Sequence, residues 1–533
     1  MIKSSIATLL RQRVMDFAGS PHSHIVALVV ITGLTLGATL INLGAYPYSW
    51  LDEGFSINAA VTLVETGQYG TTSSEGFRPF DPAISSGSPL ILPLALNISI
   101  FGNRLAQARM VTVGFALVSV ICLYFLAEKL YGKRMALWVI ILILSLPPLA
   151  DISLLLKARL VLGEVPSFMF LIIAILLWMR DWDSTNIVFA LASGLFAGLG
   201  FLTKLQVILP FLPTVIFIAI LRAKQGKGHF IRQALPAFVA VAVYIVWVLF
   251  TQSLSPAEVR WENSIVIIDG IRTNFFTNLR GASLSPGMYL ILALLLFGLG
   301  GWYWRAYRVV GRVSAPERNK HWVEATLAVY VGFSVVWVYV FSIGWPRYIF
   351  GGLVIGLLLV GRSLYALLVV IVRRWSTSKN IETGVYTISL GMMLVMGFFT
   401  HVLPTITYNE PRYDEMIITY IDQHVDRSAV IETWEWDITG RGLHRNYHMP
   451  HQLLLQYTLR QRSLNQRMDF NYDILQASPD YLLIGPFGGW MHIYDTPQRR
   501  VYFETEVLIG KYRLLRRVYP KTRIYMPEAA LER

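Results

Sequence analysis

The chain of 533 residues is 54% hydrophobic and only 15% charged, with a mean hydropathy of +0.51; this excludes a soluble globular protein and points to a polytopic membrane protein. The formal charge of +13 does not mark a nucleic-acid binder, because Lys and Arg fall in short clusters between apolar spans and not on one basic surface. The lone cysteine, Cys122, lies inside an apolar segment, which excludes an intramolecular disulfide and a thiolate metal site.

A helix needs about 20 mainly apolar residues to cross the hydrocarbon core. The first such run, 25–45, is too long for a signal-peptide core and no small-residue cleavage site follows it, so it reads as an uncleaved first helix. Further spans are expected near 107–127, 136–150, 164–179, 186–203, 206–221, 235–252, 286–303, 323–344, 348–370 and 385–402, about 11 helices in all. Alternate loops are basic, with Lys3, Arg11 and Arg13, then Lys129, Lys133 and Arg134, then Arg222, Lys224, Lys227 and Arg232, then Arg305 to Lys320, then Arg373, Arg374 and Lys379. The positive-inside rule puts these loops and the N-terminus in the cytoplasm. The short turn from Arg180 to Asp183 is the one weak member of the series.

Between the first two spans lies a long outer loop, 47–104. It opens on adjacent carboxylates, Asp52 and Glu53, followed by a short amphipathic helix over 57–65 and a Gly67-Gln68-Tyr69-Gly70 turn. The apolar stretch 89–101 is short and interrupted by proline, so it is expected at the interface. An odd number of spans leaves the C-terminal segment outside. Residues 1–404 then form the membrane module, and 405–533 form a separate extracytoplasmic α/β domain, with a helix at 413–425, strands at 429–432 and 481–484, and turns at Ser478-Pro479, Gly485-Pro486 and Gly488-Gly489. No internal repeat and no glycine-rich nucleotide motif stands out in the sequence.

Acidic loop residues are ordinary in membrane proteins, but a carboxylate at the interface loses hydration, and that raises its pKa toward the range of a general base. Arg109, Lys157, Arg159, Glu164, Lys204 and Arg347 fall at span ends on the same outer face as Asp52 and Glu53. Each basic one taken singly reads as a side chain snorkelling to headgroups. Together, carboxylates and cations suit transfer of a group from a membrane-embedded phosphate donor, in which cations stabilise the departing phosphate and one carboxylate deprotonates the incoming hydroxyl.

At these positions the sequence resembles the GT-C glycosyltransferases that use polyprenyl-phosphate sugars, in particular the protein O-mannosyltransferase and aminoarabinose-transferase group. The resemblance rests on Leu51-Asp52-Glu53, Ala108-Arg109, Leu130 to Arg134, Ala158-Arg159-Leu160, Glu164-Val165-Pro166, Gly198 to Lys204 and Pro346-Arg347-Tyr348. It implies that Asp52 is the catalytic base of an inverting transfer, with Glu53 and Glu164 as further acidic groups of the catalytic set. It also implies that the donor phosphate is met by Lys204, Arg347 and Tyr348, with Arg78, Arg109 and Arg159 in support. No cofactor is expected; the partners are a polyprenyl-phosphate-linked sugar, membrane lipid and a glycan, lipid or protein acceptor, and nucleic acid is not among them. The resemblance locates the enzyme in the inner cell membrane with its active site outside. One departure stands out: relatives carry a Lys-Pro-Pro-Leu stretch where this chain has Asp81 to Leu90 without lysine, so that contact is expected from Arg78 or Arg104.

Two weaker constellations lie in the C-terminal segment. His444, His448 and His451 with Asp437 have residue types that ligate zinc, but Pro450 argues against the continuous helix such spacing needs. Trp434 and Trp436 suit stacking on sugars or plain packing in a strand. Trp261-Glu262-Asn263 is placed near the cavity mouth. A flippase of lipid-linked glycans would also need buried charges, although inverted repeats are its usual mark. A polymerase or ligase of such glycans would keep the cavity and change the acceptor.

Overall fold

The computed structural model describes residues 22–79, 86–147, 153–180, 182, 186–223, 226–254, 271–272, 275, 315–342, 345–374, 381–449, 478–490 and 503–518. In chain order these form α1 (His22–Leu40), α2 (Leu51–Thr66), the hairpin β1 (Gly70–Ser73) and β2 (Gly76–Pro79), α3 (Ser88–Phe101), α4 (Leu105–Tyr131), α5 (Lys133–Ser145), α6 (Leu154–Ala158), α7 (Glu164–Trp178), α8 (Val188–Thr203), α9 (Leu205–Ile208), α10 (Phe211–Arg222), α11 (Lys227–Ser253), α12 (Ala315–Val336), α13 (Phe350–Arg373), α14 (Ile381–Gly397) and α15 (Leu403–Thr407). The C-terminal part adds α16 (Tyr413–His424), β3 (Ile431–Thr433), α17 (Trp436–Thr439), β4 (Tyr447–His448), β5 (Tyr481–Ile484), α18 (Pro486–Trp490), β6 (Phe503–Ile509) and β7 (Tyr512–Val518).

Six helices among the described residues are long and apolar enough to cross a membrane, Leu105–Tyr131, Leu205–Arg222, Lys227–Ser253, Lys320–Phe341, Arg347–Arg373 and Ile381–Thr407. Shorter apolar helices, among them Glu164–Trp178 and Val188–Thr203, pack between them. The protein is thus a multi-pass α-helical membrane protein. Helices α1, α4, α5, α7, α8, α9 with α10, α11, α12, α13 and α14 overlap the segments in which spans are expected, six of them meeting the length and hydropathy of a span, while 286–303 lies outside the described residues. Large apolar side chains such as Trp138, Phe168, Ile172 and Leu358 fill the centre of the bundle, where close packing supplies the association energy that lipid does not.

The outer loop differs from expectation in one respect that matters. The helix foreseen over 57–65 begins six residues earlier, so Asp52 and Glu53 lie in the first turn of α2 and not in a loop before it. Carboxylates favour this position, where the first backbone N–H groups lack intrahelical acceptors. Glu53 Oε2 turns back to accept the Trp50 N–H at 2.9 Å. The helix ends at Gly67, whose φ of 73° is the left-handed cap expected of a glycine there. Ile57 and Ala60 of α2 then pack on Leu90, Ile91 and Leu94 of α3, so the 89–101 stretch is a helix lying against α2.

Residues 413–424 and five strands build an α/β unit with strand order β4-β3-β5-β7-β6. β3 runs parallel to β4 and β5, and the other two pairings are antiparallel. Helix 413–425 and strands 429–432 and 481–484 correspond to α16, β3 and β5. This unit sits directly on α2. The ring centroids of Phe55 and Trp436 are 3.6 Å apart, Tyr48 and Tyr512 share a 2.7 Å hydrogen bond, and Asn103 donates to the Gly440 carbonyl at 2.7 Å. Backbone meets backbone here: a Cβ on Gly54 would lie 1.6 Å from the Trp436 carbonyl oxygen, and one on Gly440 would lie 2.4 Å from Asn58 N.

Candidate active site

Four chain breaks converge at the α2 end of the bundle. Asp52 comes from the first turn of α2, and Glu164 opens α7. Lys204 is the extended residue between α8 and α9, with φ −160° and ψ 109°. Its carbonyl accepts Ser167 Oγ at 3.1 Å, which ties the break to the start of α7. Arg347 lies in the one-turn 3₁₀ helix Pro346–Ile349 that leads into α13. Charged side chains at helix breaks within a membrane bundle escape lipid only by facing one another or a cavity.

Arg347 Nη1 donates to Asp52 Oδ2 at 2.6 Å, and its guanidinium lies 4.4 Å from the Trp345 ring centroid and 5.6 Å from that of Tyr348. Glu164 is 1% exposed, with Oε1 4.0 Å from Arg347 Nε. Neither Glu164 oxygen, nor Arg347 Nε, has a hydrogen-bond partner among the described residues. Lys204 is buried beside them, and Tyr348 lies within electrostatic reach of Arg347, Lys204, Asp52 and Glu164. The expected residues Asp52, Glu164, Lys204, Arg347 and Tyr348 are therefore brought together.

The electrostatics of Asp52 correct one expectation. Burial does raise its pKa, but Arg347, Lys204, the Arg347 hydrogen bond and Lys157 together outweigh burial and hold the carboxyl below its usual range. Asp52 is thus ionised at neutral pH because cations surround it, a fact that desolvation reasoning on one loop misses. Lys157, on α6, stood among the outer-face charges but outside the expected site. Its signal was a lysine directly after Leu154, Leu155 and Leu156, where an unneeded charge is costly.

Glu53, Arg109 and Arg159 do other work. Glu53 is fully buried and receives Arg109 Nε at 3.0 Å, Arg109 Nη2 at 2.8 Å and the Val161 N–H at 2.8 Å. With the Trp50 N–H added, its acceptor capacity is used. The remaining Arg109 donors reach the Leu43 and Pro47 carbonyls, both at 2.9 Å. Arg159 binds the carbonyls of Ala38, Thr39, Ile41 and Tyr46 at 2.7–3.0 Å, closing the C-terminus of α1. Glu53 is therefore engaged as a structural anchor, with Arg109 bonded to it and to backbone carbonyls and Arg159 bonded to backbone carbonyls, apart from the cluster around Asp52. Arg78, on β2 opposite Thr71, has no side-chain ion pair among the described residues and is not joined to the cluster. The Asp81 to Ser85 part of the departure from the relatives' pattern lies outside the described residues.

In the C-terminal unit His448 is bonded to Glu432 on one side and Glu75, at 3.0 Å, on the other, while Asp437 accepts Ser49 and Tyr512. His444 packs edge-on to Tyr447, and His451 and 261–263 lie outside the described residues. The described residues hold no metal-ligating cluster. Trp434 and Trp436 are buried in the core of this unit, which favours packing over sugar stacking.

Residues 89–249 match the family described as dolichyl-phosphate-mannose-protein mannosyltransferase. This stretch carries Lys157, Glu164 and Lys204 but neither Asp52 nor Arg347. No curated protein matches the chain in sequence. Among solved structures it is similar to ArnT from Cupriavidus metallidurans bound to undecaprenyl phosphate, with 12% identity, 93% of this chain and 98% of that one covered, and a TM-score of 0.58. It is also similar to the Archaeoglobus fulgidus oligosaccharyltransferase tethered with an acceptor peptide, with 11% identity, 87% and 69% covered, and a TM-score of 0.54. The family pattern covers less than a third of the chain, and the shared fold extends over most of it, so the chain has the GT-C type of membrane fold seen in these structures.

Proposed function

We propose that the protein transfers a sugar, with inversion, from a polyprenyl-phosphate donor to a hydroxyl acceptor on a glycan, lipid or protein at the outer face of the cell membrane. The observation that carries this reading is the meeting of ionised Asp52 with Arg347 and Lys204 at the α2 end of the bundle. Asp52 accepts the proton of the acceptor hydroxyl as its oxygen attacks the anomeric carbon. The bond from that carbon to the phosphate oxygen breaks, and the electron pair leaves with the lipid phosphate, whose charge Arg347 and Lys204 stabilise. A leaving phosphate needs no proton, so one base suffices. Glycosidases with a separate acid and base differ in this.

The lipid phosphates seen with relatives support the donor class: one solved structure is ArnT with undecaprenyl phosphate, and another is the archaeal oligosaccharyltransferase with a dolichol-phosphate. The alternation of basic loops supports an extracytoplasmic site, with the 405–533 unit on the same side. The test is incubation of the purified protein with a panel of polyprenyl-phosphate sugars and an acceptor extract, with release of lipid phosphate as the readout. Release that depends on Asp52 is expected. Movement of the lipid across vesicles with no release from any donor would reject transfer in favour of a flippase.

A further inference from the structure

Arg347 stands between two carboxylates that it treats unequally. Its Nη1 is bonded to Asp52, whose side chain is 26% exposed, while its Nε points toward Glu164 without reaching hydrogen-bond distance. Arg347 is 6% exposed and Glu164 1%, so Nε and both carboxylate oxygens, without a hydrogen-bond partner among the described residues, are polar atoms removed from water, an arrangement that costs free energy. Closing the 4.0 Å separation to a charge-assisted bond needs a shift of only about 1 Å. The Trp345 ring lies alongside the guanidinium, a surface on which it can slide and keep its cation–π contact. Irregular backbone precedes and contains Arg347, the π-helical turn Trp337–Phe341 before and the 3₁₀ turn Pro346–Ile349 around it, and such segments accommodate local movement.

The present contact also opposes the reaction. A carboxylate bonded to a guanidinium at 2.6 Å has an acceptor site occupied and its basicity reduced, so the pose that stores Asp52 is not the pose that removes a proton. We propose that an entering lipid phosphate draws Arg347 off Asp52 and onto the phosphate and Glu164 together, so that donor binding itself releases the base. Glu164 is then a positioning residue that receives Arg347, and the planar guanidinium bridges the two anions as a lysine could not. Lys204 and Lys157, the other cations acting on Asp52, stay in place, so Asp52 remains ionised while regaining a free lone pair. The ligand class rests on the proposed function; the exchange itself rests on the geometry.

The experiment uses the full-length protein and undecaprenyl phosphate, which carries no sugar, so an effect of Glu164 cannot come from a sugar contact. Infrared difference spectra recorded on adding it should show a shift in a carboxylate stretch that disappears in Asp52→Asn and also in Glu164→Gln, although Glu164→Gln binds the lipid within about threefold of wild type. In turnover with a sugar donor, Glu164→Gln should lose about tenfold or more in kcat with little change in KM, and Glu164→Asp should recover part of it. An Asp52 band that persists in Glu164→Gln, or lipid binding without any such band, overturns the exchange while leaving the transfer reaction intact. Failure of the wild type to bind the lipid phosphate at all overturns the donor class and the exchange with it.

Discussion

At Asp52 the carboxylate is held ionised by Arg347, Lys204 and Lys157, whereas the next residue, Glu53, turns its side chain inward to Arg109 and the Val161 N–H. One peptide unit thus separates a group facing the charged cluster from a group buried in the wall, because successive positions on a helix point about 100° apart. Asp52→Asn keeps the shape and removes the base, so transfer should fall by about 10²-fold or more while the protein folds and retains lipid-phosphate binding, measured by lipid-phosphate release. Near-normal turnover in that variant would reject the assignment. Lys204→Ala should raise KM for the donor more than for the acceptor, and the reverse order in steady-state kinetics would show that the phosphate sits elsewhere. Arg109→Met leaves Glu53 buried without its cation and should cost about 3–5 kcal/mol of stability. Thermal unfolding in detergent would read this as a fall in Tm, and an unchanged Tm would count against the anchoring role.

Among the elements, α2 is the junction of the molecule. One side packs on α3, its N-terminus is fixed by Glu53 to α4 and to the segment before α7, and its outer side carries α17. The close approach of α17 requires glycine at both contacts, Gly54 and Gly440. Gly54→Ala would place a methyl group against the rigid Trp436 carbonyl, so the α/β unit should lift from α2 and carry the Asp52 turn with it. Faster proteolysis near 405–412 with reduced turnover is the expected outcome, and a fully active, protease-resistant Gly54→Ala protein would show that the contact gives way. Asp52 and Glu53 are legible as a pair from their neighbourhood of Trp50 and Gly54, but the start of α2 is not. Its N-cap Trp50 is no usual capping residue, and the capping hydrogen bond comes from Glu53 turning back.

At the scale of the whole molecule, the buried carboxylates Asp414, Glu435 and Asp437 lie close to the seam between the membrane bundle and the α/β unit, where Asp437 accepts Ser49 Oγ at 2.7 Å. Burial, reinforced by Asp437, pushes the Glu435 carboxyl up, although the N–H groups of Gly488, Phe487 and Gly485 oppose the shift. Burial likewise raises Asp437, against Ser49, Arg441 and Tyr512, with Asp414 adding to the rise. A carboxyl whose folded pKa exceeds its unfolded value binds more protons in the folded state, so its contribution is largest below the ordinary carboxylate range and is lost as pH rises through the folded value. The α/β unit should therefore resist unfolding better on the acidic side of neutrality, with Glu435→Gln flattening that dependence in proteolysis or thermal unfolding followed against pH. A profile equally steep in the variant would assign the effect to other groups. The sequence by itself determined the class of the protein, because apolar runs of spanning length and alternating basic loops are local properties that lipid and membrane potential act on directly. It also marked Asp52, Glu164, Lys204 and Arg347, since a charge at a helix end in a membrane protein is costly enough to need a reason. Only the tertiary structure decided which charges face each other and which close the wall: Arg109 and Arg347 look alike as residues at span ends, and the difference lies in whether Glu53 or Asp52 stands opposite, a matter of side-chain direction and long-range packing that no local window contains.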